Sequence, residues 1–490
     1  MSDKTQEGYK TAFKATALFG GVQVFTILIK ILNSKVIALW LGTTGYGIMS
    51  LFNSTTTLIS SITNLGLQSS AVRDIAIAHG TNDTYKVSQI VKAINRWVWA
   101  TGLVGAFLTI ALSPWLSQWV FENDSYTISF ILLSCVVLLT GLYNANYAIL
   151  QGTRRLKGMA AANVFGALSG FICSLPIYYF FREKGIVCAL IFTALSTLVV
   201  SYFYVRKISL PKVDQTYKES FRIGRNTAKL GMAMAISGIM VEFVQFVVKT
   251  FITHQGGIAD VGLYQAGWSL NGTYLGLVFT AMAKDYFPRL SQHSENNLFL
   301  RDSVNQQAEI AVLILSPLIM IMVVFMPLFI RMLYTPEFLS VVELTTWLLI
   351  GSLVKAGSWG MSFVFLAKGD RNLYLFNELG IKIITLPSYL LGYYWYGLNG
   401  IGYAFVFNYT VYFIWVTLVA WKKYGLKYSK EYVKLFFFFL FLLTVFPVAV
   451  YCGVNKYVVG IPLSIMVTVI SIILLNKRIH LTNLLKKNHK

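Results

Sequence analysis

Five lysines lie inside long apolar runs of the sequence, where a charged side chain is unfavourable. They are Lys30, Lys35, Lys249, Lys355 and Lys382. A lysine at the centre of a membrane span costs about 2.5–3.5 kcal/mol on insertion scales, so such residues usually face a bundle interior or a watery cavity. An ammonium group is also a good point-charge partner for phosphate. The set therefore predicts a cationic interior, or lumen, that binds an anionic ligand.

Polar side chains accompany these lysines at helical spacing. Gln23 precedes Lys30 by two turns, and Gln245 precedes Lys249 by one. A further stripe, without charge, consists of Asn53, Thr57, Ser60, Asn64 and Gln68. Such stripes either line a lumen or hydrogen-bond one helix to another. The predicted substrate-binding residues of the lumen are Lys30, Lys249, Lys355, Lys382, Lys35, Gln23, Asn53 and Gln245.

Two of the lysines and the deep carboxylate have alternative interpretations. Lys35 lies near the outer end of its run, so its ammonium could reach the interface by snorkelling. Glu378 and Lys382 are four residues apart and could pair on one helix. Glu242 is the main deep carboxylate, and we predict that it binds a coupling H⁺ or Na⁺ or serves as a counter-ion to a lysine. No catalytic residue, metal ligand or other cofactor is predicted.

The composition identifies the elements that must hold these residues. The 490-residue chain is 56% hydrophobic and 12% charged, with a mean hydropathy of +0.62. A soluble protein could not bury so much apolar surface, which excludes a secreted domain, a nucleic-acid binder and a soluble enzyme. Runs of about 20 apolar residues predict membrane-spanning helices. Fourteen are predicted, at 15–41, 46–70, 97–121, 127–150, 158–181, 185–205, 230–253, 262–283, 306–333, 338–366, 373–396, 398–421, 435–452 and 457–476.

The net charge of +21 is distributed unevenly between the connections. If the N-terminus is cytoplasmic, the inner segments hold 32 of the 41 Lys and Arg residues and the outer segments hold four. Such a bias over short loops indicates orientation, because cytoplasmic loops are rich in basic residues. We therefore expect a multi-pass membrane protein with both termini in the cytoplasm.

The two halves of the chain repeat at an offset of 215 residues. Gly47 corresponds to Gly262, and the Gly-Thr-Arg segment at 152–154 is matched to 369–371 with a small change of length. Each half holds six spans, which predicts an all-α fold with a parallel pseudo-twofold repeat around a central lumen. The predicted parts are a first half at 1–206, a basic amphipathic cytoplasmic connection at 207–229, a second half at 230–422, and accessory helices 13 and 14 with a basic tail at 423–490.

Several short motifs resemble polysaccharide-export flippases of the MOP superfamily. They are LGTTGYGI at 41–48, NLGL at 64–67 with Arg73, LQGTR at 150–154, VGLY at 261–264 and PRLS at 288–291. Within that superfamily the chain is similar to Wzx-type O-antigen translocases, which move lipid-linked oligosaccharides. The resemblance implies a flippase for an undecaprenyl-diphosphate-linked oligosaccharide in the bacterial inner membrane, and polysaccharide polymerase machinery as a partner.

The resemblance also implies roles for particular residues. The diphosphate and sugar would be bound first by Lys30 and Lys249, and the head group would enter at Arg73 and Arg289. The chain departs from the family because its deep basic residues are all lysines, which cannot bind a diphosphate in the bidentate manner of arginine. The competing hypotheses are a multidrug or organic-cation antiporter of the same superfamily and a membrane-embedded O-antigen polymerase or glycosyltransferase. The antiporter is disfavoured because the first half lacks a carboxylate within the membrane. The polymerase or glycosyltransferase is disfavoured because the outer loops are short.

Overall fold

The structure, a computed structural model, describes residues 3–81 and 83–479, with the backbone alone at 3–20, 233, 284, 371 and 479. The predicted basic tail therefore lies outside the described residues from position 480 onward. The described part is helical and contains no strand. Its helices are α1 (Asp3–Thr63), α2 (Leu67–Gly80), α3 (Thr84–Ala111), α4 (Ser113–Phe121), α5 (Thr127–Gly152), α6 (Leu156–Phe181), α7 (Ile186–Arg206), α8 (Tyr217–Gly256), α9 (Ile258–Gln292), α10 (Asn297–Leu333), α11 (Val342–Ala367), α12 (Arg371–Tyr424), α13 (Lys430–Tyr451) and α14 (Lys456–Ile479).

The helices match most of the predicted membrane spans. Across the described part of the chain, nine helices are long and apolar enough to cross a membrane, or ten if α3 and α4, bent by 63°, form one span. Three of the nine each contain two predicted spans, at 21–63, 156–206 and 372–424. The prediction at 262–283 falls within α9, which is not among these candidate spans, so it stays a prediction. The all-helical, multi-span fold class is thereby confirmed.

Left-handed backbone residues divide the long helices at positions that recur every 215 residues. Gly42 and Gly257 have φ of 63° and 88°, and Arg182 and Gly397 have φ of 51° and 58°. Arg154 and Gly369 form a third pair, with φ of 54° and 72°. This third pair corrects the sequence alignment, because Gly369 corresponds to Arg154 rather than to Gly152. The error arose from matching glycine to glycine, whereas the backbone places an arginine at the same corner.

A reciprocal glycine contact joins the predicted outer ends of α1 and α9. A Cβ built on Gly47 would lie 2.0 Å from the carbonyl oxygen of Ile258, and one on Gly262 would lie 2.0 Å from that of Thr43. Residues 43 and 258 are themselves 215 positions apart, so the two contacts exchange under the repeat. Such reciprocity is characteristic of a twofold interface. The contact supports the predicted repeat at this point, while its layout elsewhere stays a prediction.

The chain divides into two compact units, Met1–Gly262 and Leu263–Lys490. In the first unit, α2, α3 and α5 share a core that includes Ala71, Ile75, Ile94 and Ala148. The residues after α7 run as an extended segment to Thr216, and α8 begins at Tyr217. The predicted connection at 207–229 thus comprises this segment and the first turns of α8.

Side chains of α3 hold the extended segment against the first unit. Lys92 Nζ donates to the carbonyl of Val213 at 2.6 Å, and Arg96 donates to that of Gln215 at 2.8 Å. Because these donors are charged, the bonds are stronger than neutral ones. The segment between α7 and α8 is therefore fastened to α3.

Two polar contacts organise the second unit at its predicted inner side. Arg478, near the end of α14, forms an ion pair of 2.5 Å with Glu309 of α10, whose side chain is 6% exposed. Asp370, just before α12, accepts hydrogen bonds from Lys423 and Tyr424 at the end of the same helix. The bond from Lys423, followed by that from Tyr424, lowers the pKa of Asp370. These contacts fasten α14 to α10 and the beginning of α12 to its end.

Candidate substrate-binding site

The uncharged polar stripe predicted on the second span lines a cavity of 350 Å³ in the first unit. The stripe comes from the end of α1 and the start of α2 and includes Asn53, Thr57, Ser60, Asn64 and Gln68. Thr140 and Asn144 of α5 complete the polar wall, and small and apolar residues of α8 form another side. We call this space the amide cavity, after the side chains of Asn53, Asn64, Gln68 and Asn144. Its lining contains no charged side chain.

The amide side chains of this cavity, unlike neighbouring hydroxyls, do not hydrogen-bond to their own helix. Neighbouring hydroxyls bond back to their own helix, as Thr56 does to the carbonyl of Phe52 at 2.9 Å. By contrast, the four amide side chains have no hydrogen-bond partner among the described residues. Each amide offers two donors and a carbonyl acceptor. The cavity is therefore suited to a neutral ligand that is rich in groups able both to donate and to accept.

At the predicted inner end of the amide cavity, the backbone around Gly66 contacts α8. Gly66, with φ of 60°, lies so close to Gly231 that a Cβ on Gly66 would be 2.2 Å from the Gly231 carbonyl oxygen. Nearby, the Thr227 hydroxyl donates to Asp74 at 2.5 Å. Glycine is required at Gly66 because the close approach leaves no room for a Cβ, and the left-handed conformation disfavours a side chain as well. This contact joins α2 to the beginning of α8.

The first-unit lysines lie outside the lining of the amide cavity. Lys249 is buried on α8, with 7% of its surface exposed. It interacts electrostatically with the half-buried Glu242 two turns earlier, but no carboxylate of the described chain lies within 4 Å of it. Lys30 and Gln23 are exposed on α1. Of the predicted lumen residues, the structure thus places only Asn53 in this cavity.

The other predicted lumen residues of the first unit have local interactions. Lys35 is half-buried on α1, and Gln245 is half-buried on α8, between Glu242 and Lys249. Both side chains take part in interactions within the structure. Neither lines the amide cavity, so the assignment of both residues to a ligand stays a prediction.

The second-unit lysines occupy different surroundings. The Lys355 ammonium lies 5.2 Å from the ring centroid of Phe279 and 5.5 Å from that of Tyr409. Cation–π contacts of this kind stabilise a lysine away from water. Lys382 is half-buried, and Glu378 accepts a hydrogen bond from Tyr412 at 3.0 Å. No ion pair joins Glu378 to Lys382 within the described chain. The alternative in which these two residues pair on one helix therefore gains no support from the structure.

The two predicted entry arginines each lie beside a carboxylate of their own helix. Arg73 is 3.9 Å from Asp74 and largely exposed, and Arg289 is 3.8 Å from Asp285. Arg289 also donates to Gln307 at 3.4 Å. An exposed pair such as that of Arg73 is worth about 0–1 kcal/mol, so the Arg73 guanidinium is available to a phosphate at little energetic cost. Arg289 is half-buried instead, and its buried Nε has no hydrogen-bond partner among the described residues.

The sequence analysis missed Thr140 and Asn144, which complete the amide cavity. The signal was their four-residue spacing on a predicted span, the same helical period that identified the stripe on α1 and α2. It also missed Glu309, because this carboxylate lies near the end of its span and its partner Arg478 is distant in sequence. No group of three or more metal-ligating side chains occurs in the part of the chain that the structure describes.

Comparisons with known proteins agree on family and fold. A family model described as "Polysaccharide biosynthesis protein" matches residues 36–343. The lipid III flippase of Escherichia coli K12 is 22% identical over 391 residues, which are 78% of this chain and 92% of that protein. An inward-facing multidrug-resistance MATE transporter of the MOP superfamily has a TM-score of 0.70 at 16% identity, covering 82% of this chain and 94% of that one. The lipid II flippase MurJ, in an inward closed conformation, has a TM-score of 0.65 at 12% identity, covering 95% and 99%.

Proposed function

Because this chain belongs to the polysaccharide biosynthesis protein family of MOP-superfamily transporters, we propose that it is a flippase for a lipid-linked oligosaccharide. The substrate would be an undecaprenyl-diphosphate-linked O-antigen or polysaccharide repeat unit. It would move from the cytoplasmic to the periplasmic leaflet of the bacterial inner membrane. The E. coli relative is named as a lipid III flippase, and the match covers 92% of its length. This similarity supports a lipid-linked precursor as the cargo.

The observation that carries the proposal is the set of amides in the amide cavity that lack a hydrogen-bond partner in the described part of the chain. A saccharide presents many hydroxyls, each of which donates and accepts. The side chains of Asn53, Asn64, Gln68 and Asn144 supply both kinds of partner. Each neutral hydrogen bond contributes about 0.5–1.5 kcal/mol, so several would hold a sugar weakly enough for release. The volume of 350 Å³ lies within the range of small-ligand sites.

The diphosphate would be bound by lysines rather than by the amides. Lys30 and Lys249 are the first candidates, followed by Lys355 and Lys382. Arg73 and Arg289 would collect the head group at the cytoplasmic surface, where their weak ion pairs can exchange for phosphate. The polyprenyl tail would remain in the lipid. Alternating access of the two six-helix halves would then expose the bound sugar to each side in turn.

An ion would reset the empty transporter. Glu242 is half-buried on α8, within electrostatic reach of Lys249. Binding of H⁺ or Na⁺ at this carboxylate would weaken its attraction for Lys249 and so alter the affinity of the lysine for phosphate. Polysaccharide polymerase machinery would receive the product in the periplasm. Both termini would be cytoplasmic, as the distribution of basic residues predicts.

The test is translocation of a fluorescent undecaprenyl-diphosphate oligosaccharide in proteoliposomes. Lys30→Ala and Lys249→Ala should each lower the rate roughly 10- to 150-fold, as expected for loss of a hydrogen bond to a charged group. Asn64→Leu, which keeps the volume but removes the amide, should lower it by roughly 2- to 13-fold. Lys86→Ala is the matched control, because Lys86 is exposed in the first turn of α3, before the span predicted at 97–121.

An organic-cation export assay on the same vesicles distinguishes the flippase from the competing antiporter hypothesis. The MATE transporter found by structural similarity is a multidrug transporter, which makes this arm necessary. Lipid translocation that depends on the lysines, without cation export, supports the flippase. Cation export without lipid movement would assign the chain to the antiporters and leave the lysines as structural counter-ions.

A further inference from the structure

A second cavity, of 600 Å³, lies within the second unit between α10, α11, α12, α13 and α14. Glu343, in the first turn of α11, is one of its lining residues. The carboxylate accepts a hydrogen bond from Asn399 Nδ2 at 2.7 Å and from the Tyr403 hydroxyl at 2.6 Å. The lining residues flank the connections that the basic-residue distribution predicts to be outer, so we call this space the outer cavity.

Aromatic rings form much of the wall beside this carboxylate. Trp347 packs edge-on against Tyr403, with ring centroids 5.2 Å apart, and Tyr396 does so from another side at 5.9 Å. Tyr396 is 66% exposed, and Tyr451 at the rim is 88% exposed. The Tyr403 hydroxyl in turn donates to Glu343. The network holds the carboxylate in one orientation among the rings.

A lysine at the same cavity lacks a protein partner. Lys456, the first residue of α14, is half-buried and lines the cavity. Its ammonium forms neither an ion pair nor a hydrogen bond with any described residue, although it carries three donors. The cavity thus combines a fixed acceptor, an amide, an unused donor and flat apolar rings.

We propose that the outer cavity is a binding site for a single sugar ring. The apolar face of a pyranose would pack on the exposed ring of Tyr396, next to Trp347, since aromatic side chains offer flat apolar faces beside polar groups. Its hydroxyls would donate to Glu343, which retains free lone pairs, and accept from Lys456. Bonds to ionised groups are stronger than neutral ones. If the proposed function holds, the ring would belong to the oligosaccharide after it reaches the outer side.

Other occupants fit the outer cavity less well. An acyl chain would leave the carboxylate and the ammonium facing hydrocarbon without new partners, which is costly. An organic cation would meet a carboxylate that already accepts two hydrogen bonds, with Lys456 lining the same cavity. A sugar uses both charged groups and the rings together.

The experiment measures sugar binding directly, without transport. The full-length protein in nanodiscs is titrated with free glucose, galactose, rhamnose and N-acetylglucosamine, with binding followed by saturation-transfer NMR. We expect at least one sugar to bind the wild type. Glu343→Gln, which keeps the shape but removes the charge, should weaken that binding about tenfold, as should Lys456→Met. Glu337→Gln is the matched control, because Glu337 is an exposed carboxylate just before α11 and outside the cavity.

The outcomes separate this site from the proposed function. Because Lys456→Met leaves the network around Glu343 intact, its effect remains informative even if Glu343→Gln lowers the yield of folded protein. Sugar binding that both variants weaken supports the site, whether or not the lipid-linked substrate is translocated. Translocation without any sugar binding, or binding that neither variant changes, overturns the site and leaves the flippase standing. If lipid displaces the bound sugar but other sugars do not, the cavity is an acyl-chain groove instead.

Discussion

The reciprocal contact between Gly47 and Gly262 gives the sharpest test of the repeat. An alanine Cβ at either position would lie 2.0 Å from a backbone carbonyl oxygen, where ordinary contact begins at 3.4 Å. The two backbones would therefore have to separate by about 1.4 Å. Overpacking of this kind costs typically 1–3 kcal/mol, which corresponds to a roughly 5- to 150-fold change in an equilibrium constant. We expect Gly47→Ala and Gly262→Ala to destabilise the described conformation by similar amounts.

Chemical unfolding in mixed micelles, followed by intrinsic fluorescence, measures the free energy of unfolding of each variant. The double variant should lose less than the sum of the two single variants, because one separation of the backbones relieves both clashes. Gly276→Ala is the control, since nothing lies within 4 Å of a Cβ there and alanine favours the helix by about 0.5–1 kcal/mol. If either glycine variant is as stable as wild type, or the effects are strictly additive, the reciprocal contact is refuted.

Three further predictions concern polar and backbone contacts. The contribution of Asp370 to stability is present above its unfolded pKa of about 3.9 and is lost as the pH falls through its lowered folded-state pKa; the acid unfolding limb of Asp370→Asn should therefore be shallower than that of wild type. Arg478→Met leaves the carboxylate of Glu309 buried without its partner and should cost about 3 kcal/mol in unfolding titrations, whereas Arg478→Met combined with Glu309→Met should recover most of it. Gly66→Ala should cost at least 1 kcal/mol, measured in the same way, because it adds backbone strain to a clash with Gly231; a neutral effect would contradict the described contact.

The helices and their order could be predicted from hydropathy, because apolar runs of about 20 residues have few alternatives in a membrane. The breaks were harder to predict. Gly42 and Gly397 carry the usual signal of a left-handed residue, but Arg154 and Arg182 adopt the same conformation without it. For Arg182 the structure shows a tertiary contact that sequence could not reveal: its guanidinium donates to the carbonyl of Trp40 at 2.8 Å, a bond across 142 residues.

The candidate site was predictable where it follows a single helix. The stripe from Asn53 to Gln68 obeys helical spacing, and the structure places it along one cavity. The outer cavity was not predictable, because Glu343 and Asn399 lie on different helices and Lys456 begins a third. Spacing within a helix is visible in a sequence, whereas the meeting of three helices depends on packing.

The left-handed corners also indicate how the two copies of the repeat have diverged. The second copy builds all three corners from glycine, while the first uses arginine at two of them. Left-handed backbone costs a residue with a side chain roughly 1–2 kcal/mol, so the first copy carries strain that the second avoids. If the copies descend from a duplicated gene, the arginine at 182 is an acquisition that persists because it gained its contact with Trp40. Exchanging the corner segments between the copies would then yield a chain that keeps its turns but loses that contact.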